Sequence, residues 1–286
     1  MSTNIRALAV IDTTTHIIVP QEDVLLAVME ELSDMDRIPF GRVKIAAAAA
    51  GVYNIVEPGS DDEEPVKEFQ GVILMSHKCN AYWPDAFGTS EDKNPACASM
   101  DGDEGMTQDG EVIKCATCPY NQFGSSKAGD GKGKACKNMR RLYILREGDV
   151  LPLVMSLPPT ALKAYDNYRT RLATAGKKSL AVMTKFTLAK AKSSTGTAYS
   201  IPQFEAVSLL PLADVERVRE YAEGMLKSAQ KAGITADDYA AAAADDGGRV
   251  QTSTNSRMQN AKDAAIPVDA QSGFVQVDAD ELPDNF

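Results

Sequence analysis

The sequence predicts a mainly β fold with helices, of the α+β class, followed by an acidic tail. Three observations carry this: strand-length apolar stretches recur across residues 41–210, one strong helix signal interrupts them, and a polar, cysteine-bearing region splits the series. Of the 286 residues, 44% are hydrophobic and 24% charged, enough apolar material for a sizeable core. No run approaches the roughly 18 apolar residues of a membrane span. The opening MSTNIRALAVID lacks a secretory-signal pattern, so the expected location is the cytoplasm.

Residues 1–40 read as an N-terminal extension. Within it, Pro20-Gln-Glu-Asp followed by Val24, Leu25, Val28, Met29 and Leu32 fits a short amphipathic helix with acids in its first turn. Arg42 to Val56 reads as a long strand or a strand pair, interrupted by Ala46–Ala50 and Gly51, and Pro58 to Glu64 as an acidic turn. Phe69 to His77 is a strand. Two more, Leu142–Leu145 and Leu151–Leu157, flank the turn at Glu147-Gly-Asp149. Pro158-Pro159-Thr160 opens a helix over Ala161–Ala173 that Gly176 stops. Strands at Ser179–Ala189 and Ala198–Leu209 follow. An amphipathic helix then covers 212–231, inside a segment 211–232, with Val215, Val218, Tyr221, Ala222, Met225 and Leu226 on one face. Residues 233–286 read as a disordered acidic tail, with room for a short helix near Asp237–Ala244.

In order, Val43–Val56, Phe69–His77, Arg141–Leu157, the helix, Ser179–Ala189 and Ala198–Leu209 give β-β-β-α-β-β. This is the order of a five-stranded OB-like barrel, with its helix between strands 3 and 4. Residues 41–210 would form that domain. The cysteine region, about 79–140, would be an insertion between strands 2 and 3 that extends the binding face.

The cysteines are spaced Cys79-x17-Cys97-x17-Cys115-x2-Cys118-x17-Cys136. A C-x-x-C turn places two sulfurs about 2.3 Å from one ion, and two further thiolates complete a tetrahedral Zn²⁺ site. Cys97, Cys115, Cys118 and Cys136 all lie in a Gly/Asp/Lys-rich stretch that cannot build an apolar core, and metal binding supplies the folding energy such a stretch lacks. One structural Zn²⁺ is therefore expected; an iron–sulfur cluster uses the same four thiolates and stays open. Cys79 ends an apolar strand and reads as a buried thiol, although it could replace Cys97. Enzyme signatures are missing: no zinc-deaminase pattern accompanies the cysteines, no phosphate loop is present, and two histidines leave few triads. A non-enzyme is expected.

Charge is unevenly distributed. The chain carries −10 overall, yet Lys114 to Glu205 holds 16 Lys+Arg against 5 Asp+Glu, a basic middle between acidic flanks. Screening limits charge effects to about 8–10 Å, so a polyanion meets the local potential rather than the total. Aromatic and basic residues interleave there: Tyr82, Trp83, Tyr120, Phe123, Lys132, Lys134, Lys137, Arg140, Arg141 and Tyr143, with Lys185, Lys190 and Lys192 further on. Single-stranded nucleic acid is held in this way, by cations along its backbone and by bases stacked on rings. The bland alternative is a solvated charged face with core aromatics, to which Tyr143 in its strand is suited.

Four segments carry a resemblance: Asn94-Pro-Ala-Cys-Ala-Ser-Met-Asp-Gly102, Cys115-Ala-Thr-Cys-Pro-Tyr-Asn-Gln-Phe-Gly-Ser125, Gly131-Lys-Gly-Lys-Ala-Cys136 and Leu157-Pro-Pro-Thr160. Together, over about residues 40–210, they resemble a family of bacteriophage and mobile-element proteins. The resemblance implies sequence-independent single-stranded DNA binding in DNA replication or recombination. Separately, Asp280-Glu281-Leu-Pro-Asp284-Asn-Phe286 is similar to the acidic, Phe-ending tails by which bacterial and phage single-stranded DNA-binding proteins dock replication partners; here Asp284-Asn285 separates Pro283 from Phe286. Two other readings stay open: a zinc-stapled protein-interaction or transcription-regulating factor, and an iron–sulfur nuclease. Homo-oligomerisation is likewise open.

Overall fold

The computed structural model describes residues 4–12, 18–35, 40–46, 50–85, 94–126, 132–192, 198–231 and 234. Helix α1 (Glu22–Glu31) precedes three short strands, β1 (Gly41–Ile45), β2 (Tyr53–Val56) and β3 (Glu63–Val66). The 14-residue β4 (Phe69–Tyr82) leads into the cysteine region, which holds β5 (Cys97–Ser99), β6 (Glu104–Thr107) and β7 (Val112–Lys114). Strands β8 (Lys137–Leu145) and β9 (Leu153–Leu157), helix α2 (Pro159–Thr174), strands β10 (Val182–Lys192) and β11 (Ala198–Leu209), and helix α3 (Leu212–Lys231) follow. Among the described residues, no helix is long and apolar enough to cross a membrane.

The molecule is organised around β4. It pairs antiparallel with β8 from Val72 to Ala81, with β10 from Phe69 to Val72, and with β5 from Asn80 to Tyr82. Because successive side chains point to opposite faces, β4 and its neighbours feed two cores. Ile73, Leu142, Ile144, Leu153 and Leu157 pack with Tyr165, Tyr168 and Leu172 of α2 and with Phe186 and Phe204. Val72, Leu74, Tyr143, Leu145 and Val154 face the other way, onto Val218, Tyr221 and Met225 of α3. Gly71 is required where β4 crosses β8: a Cβ there would lie 2.6 Å from Ile144 Cγ2 and 2.9 Å from the Leu145 carbonyl oxygen.

Local signals account for the helices. Pro159 occupies the first turn of α2, where its missing N–H costs nothing. The helix stops at Gly176, whose φ of 70° is left-handed, with the Lys177 N–H returning to the Leu172 carbonyl at 2.9 Å. Three tyrosine hydroxyls find partners in the interior. Tyr168 bonds Thr184 Oγ1 at 2.7 Å, Tyr53 donates to the Thr187 carbonyl at 2.8 Å, and Tyr221 donates to that of Val150 at 2.6 Å.

Several expectations change. Arg42–Val56 is a pair, β1 and β2, joined antiparallel, and β1 runs parallel to β9. The sheet is open: among the described residues β9 pairs with β8 and β1, and β11 with β10, so the five-stranded closed barrel is replaced by an 11-stranded mixed sheet. The acidic turn after Pro58 continues into β3, because Glu63 is held by Lys44 at 3.0 Å and by Asn54 at 2.6 Å. Strand β4 runs five residues past His77, since β8 and β5 offer it partners to Tyr82. Ser179–Ala181 forms a helical turn before β10. The expected helix near 237–244 and the tail residues Asp280, Glu281, Asp284 and Phe286 lie outside the described residues.

Replacing Tyr168 by Phe leaves the buried Thr184 hydroxyl without its partner. The expected loss is about 1–2 kcal/mol, read from urea unfolding of Tyr168→Phe against wild type; equal midpoints would contradict this packing.

Candidate metal centre and nucleic-acid interface

Strands β4 and β8 end side by side, and the chain between them folds into a small polar module. Its turns are built by side-chain hydrogen bonds. Asn121 Nδ2 donates to the Cys115 carbonyl at 2.8 Å, and Gln122 Nε2 donates to the carbonyls of Ala116 and Cys118 at 3.0 and 3.2 Å. Ser125 Oγ donates to the Tyr120 and Gln122 carbonyls and accepts from the Ala135 N–H at 2.9 Å. Backbone bonds from Cys115 N–H to Asp103 and from Cys136 N–H to Tyr120, both 2.8 Å, bring separate segments together. Asp101 organises its loop: Oδ1 accepts from the Glu104 and Asp103 N–H groups and from Ser99, which holds its carboxyl below the usual range.

One cavity of about 160 Å³ lies inside this module, and Cys97, Cys115, Cys118 and Cys136 all line it, with Tyr82, Tyr120 and Asn121. Gly105 makes room for the sulfurs: a Cβ there would stand 2.8 Å from Cys97 Sγ and 3.7 Å from Cys115 Sγ. Among the described residues, no three His, Cys, Asp or Glu side chains are already drawn together as a metal-holding group. Four thiols on one cavity wall are, by their chemistry, a donor set that suits a thiolate-bound cation. Cys79 stands apart, fully buried in an apolar cluster with Ala81, Trp83, Met139 and Ile234.

Burial favours the neutral form of two of these thiols, Cys136 and Cys97. Burial, and then the neighbouring sulfurs Cys115, Cys118 and Cys97, push the Cys136 thiol up to about 12, and the same causes raise Cys97. A divalent cation is the species that offsets such mutual repulsion, and binding it requires the thiols to release protons.

The structure brings some of the expected contact residues together. The rings of Tyr82 and Tyr120 stack with centroids 4.2 Å apart and planes 12° from parallel, and Tyr120 stays 47% exposed. Phe123, 64% exposed, has Lys134 Nζ 5.0 Å from its centroid, and the same ammonium donates to Asn121 Oδ1 at 3.2 Å. Lys132 is exposed beside them, its carbonyl accepting from the Gly124 N–H. Lys190 and Lys192 are exposed on another element, the β10–β11 hairpin, while Lys185 is engaged by Glu68 at 2.8 Å.

Other expected contacts are corrected. Trp83 is 8% exposed and belongs to the Cys79 cluster, so it is a core residue rather than a stacking platform. Arg141 and Tyr143 are each 1% exposed and Lys137 is buried, because β8 lies in the centre of the sheet. Arg140, by contrast, stays partly exposed, on another part of β8, with its Cζ 5.9 Å from the Tyr165 ring. Asn121, Gln122 and Ser125, which shape the C-x-x-C turn, had no role assigned from the sequence; amides and a hydroxyl three to seven residues after the C-x-x-C pair were the available signal. Comparison with known proteins finds no matching family, curated protein or solved structure.

The raised thiol fixes the sign of a pH effect in metal-free protein. An unfolded thiol titrates near 9.0 and Cys136 near 12, so the stability from burying it neutral is full below about pH 9 and fades toward pH 12. The stability gap between chelator-treated wild type and Cys136→Ala should shrink across that window. A gap that widens would contradict the buried neutral thiol.

Proposed function

We propose that this chain is a sequence-independent single-stranded DNA-binding protein acting in DNA replication or recombination. Its binding surface lies on a zinc-stapled module. The carrying observation is the exposed ring pair: Tyr120 backed by Tyr82, and Phe123 beside Lys134, on the segments that also carry Cys118 and Cys136. An open aromatic face next to a cation accepts any base, because every base has a π-face, and each stack contributes about 1–3 kcal/mol.

Zinc is the proposed cation, held by Cys97, Cys115, Cys118 and Cys136. When bound it supplies structural cross-linking, and the Tyr82–Tyr120 pair on the same cavity wall is fixed with it. The strand pairings support an OB-like reading with shifted numbering. Strands β4, β8, β9, β10 and β11, with α2 after β9, repeat the β-β-β-α-β-β order, and β10 returns to pair with β4. The cysteine module then occupies the connection between the first and second strands, and Lys190 and Lys192 stand at the end of the fourth strand, where its connection to the fifth begins; these two connections serve nucleic acid in that fold. The resemblance to phage and mobile-element proteins supports the same reading, with the acidic segment after Lys262 recruiting protein partners. A second reading, a protein-interaction module, draws on Met106 and Val112, cross-strand partners that are each 59% exposed.

The test is anisotropy of labelled oligo-dT with zinc-loaded protein at low salt. Binding should occur, and Tyr120→Ala and Phe123→Ala should each weaken it by about 5–150-fold, the equivalent of one lost stack. No binding by the wild type, or full affinity in both variants, would overturn the proposal. Buried Trp83 makes a labelled strand the better reporter than intrinsic fluorescence.

A further inference from the structure

Away from the exposed rings, a group of cations stands on the α2 side of the sheet. Lys78 and Arg140 are Cα partners across the antiparallel β4–β8 pair, so their side chains share one face. Ser76 and Leu142, two residues along, are partners in the same register, and Leu142 packs into the core beneath α2. That fixes the face as the one α2 covers. From α2 itself, Arg169 brings its Cζ to 5.7 Å from the Tyr165 ring, the ring that Arg140 approaches at 5.9 Å. Two guanidinium groups thus lie within 6 Å of one buried ring, with an ammonium directly opposite one of them.

Like charges facing each other across strands are destabilising, and little here offsets them. Arg169 pairs with Asp166 at 4.0 Å, an exposed and weak partner, and Lys78 packs on Gly102 in the turn that carries Asp101 and Asp103. Cations elsewhere are paired closely: Arg146 with Asp149 at 2.7 Å and Glu57 at 2.8 Å, Lys44 with Glu63 at 3.0 Å, and Lys185 with Glu68 at 2.8 Å.

We infer that Lys78, Arg140 and Arg169 form an anion site that takes a backbone phosphate of the bound single strand. Guanidinium groups held against a ring are pre-organised forks for phosphate oxygens, and Lys78 adds a point charge. The site lies next to the proposed base-stacking surface along a single strand: Lys78 and Tyr82 are both on β4, about 13 Å apart at strand spacing. This inference rests on the single-stranded DNA reading and extends its track from the cysteine module onto α2. A free phosphate or pyrophosphate has the same recognition chemistry, so the test separates the two sources.

The experiment titrates labelled oligo-dT at several salt concentrations with wild type, with the double variant Lys78→Gln/Arg169→Gln, and with Arg219→Gln. Lys78 and Arg169 are exposed, and Arg219 is an exposed arginine on α3 that serves as the charge control. Matching urea midpoints establish that all three are folded. Losing this phosphate contact should reduce the slope of log K against log salt by about 0.7, the share of one phosphate on a single strand, while Arg219→Gln keeps the wild-type slope. A wild-type slope in the double variant overturns the phosphate site and leaves the DNA reading standing. Wild type that fails to bind oligo-dT overturns both. Calorimetry with inorganic phosphate and pyrophosphate supplies the second arm: binding that the double variant loses, with an unchanged DNA slope, assigns the site to a free anion and overturns the strand assignment.

Discussion

Four sulfur atoms facing one cavity are the constraint on which the polar half of this molecule depends. The stretch between β4 and β8 has almost no apolar side chains to bury, and its turns rest on amide and hydroxyl bonds from Asn121, Gln122 and Ser125. Such bonds each contribute only about 0.5–1.5 kcal/mol net. Thiolates crowded together repel one another, whereas the proposed divalent ion, held by the same four, would cross-link the region. Tyr82 and Tyr120 share the cavity wall with the sulfurs, so whatever fixes the sulfurs also fixes the rings.

Strand β4 transmits that order to the rest of the fold. One end belongs to the apolar sheet, where Val72 and Ile73 are wholly buried; the other carries Asn80 and Tyr82 to the cavity. Between them the strand presents Lys78 beside Arg140. Core, cation group and thiol site are thus successive stretches of one hydrogen-bonded ladder. Asn80 reinforces the junction, accepting from Asn138 at 2.7 Å and donating to the Gly102 carbonyl at 3.0 Å.

Much of this was legible in the sequence where local chemistry decides. The Pro-Pro start and Gly176 stop of α2, the apolar stripe of α3 and the alternation of β11 all act within a few residues, and their spans agree with the structure to within two residues. The grouping of Cys97, Cys115, Cys118 and Cys136 was legible from composition, because a core-less stretch rich in thiols has few other uses for them. Long-range pairing was not legible. That β1 runs parallel to β9 rather than opening a barrel depends on partners more than 100 residues away. Strands β5, β6 and β7 have three or four residues each and little apolar content, below what periodicity can register. Trp83 was misplaced for a related reason: its polar sequence neighbours suggested a loop, while Cys79, Met139 and Ile234 supply an apolar pocket from three separate segments.

The most direct measurement of the central idea is X-ray absorption at the zinc edge on protein purified with its native metal. The proposed site predicts one zinc per chain with four sulfur scatterers at about 2.3 Å. A first shell containing nitrogen or oxygen, an iron–sulfur signal, or protein that carries no metal and retains its DNA affinity would contradict it.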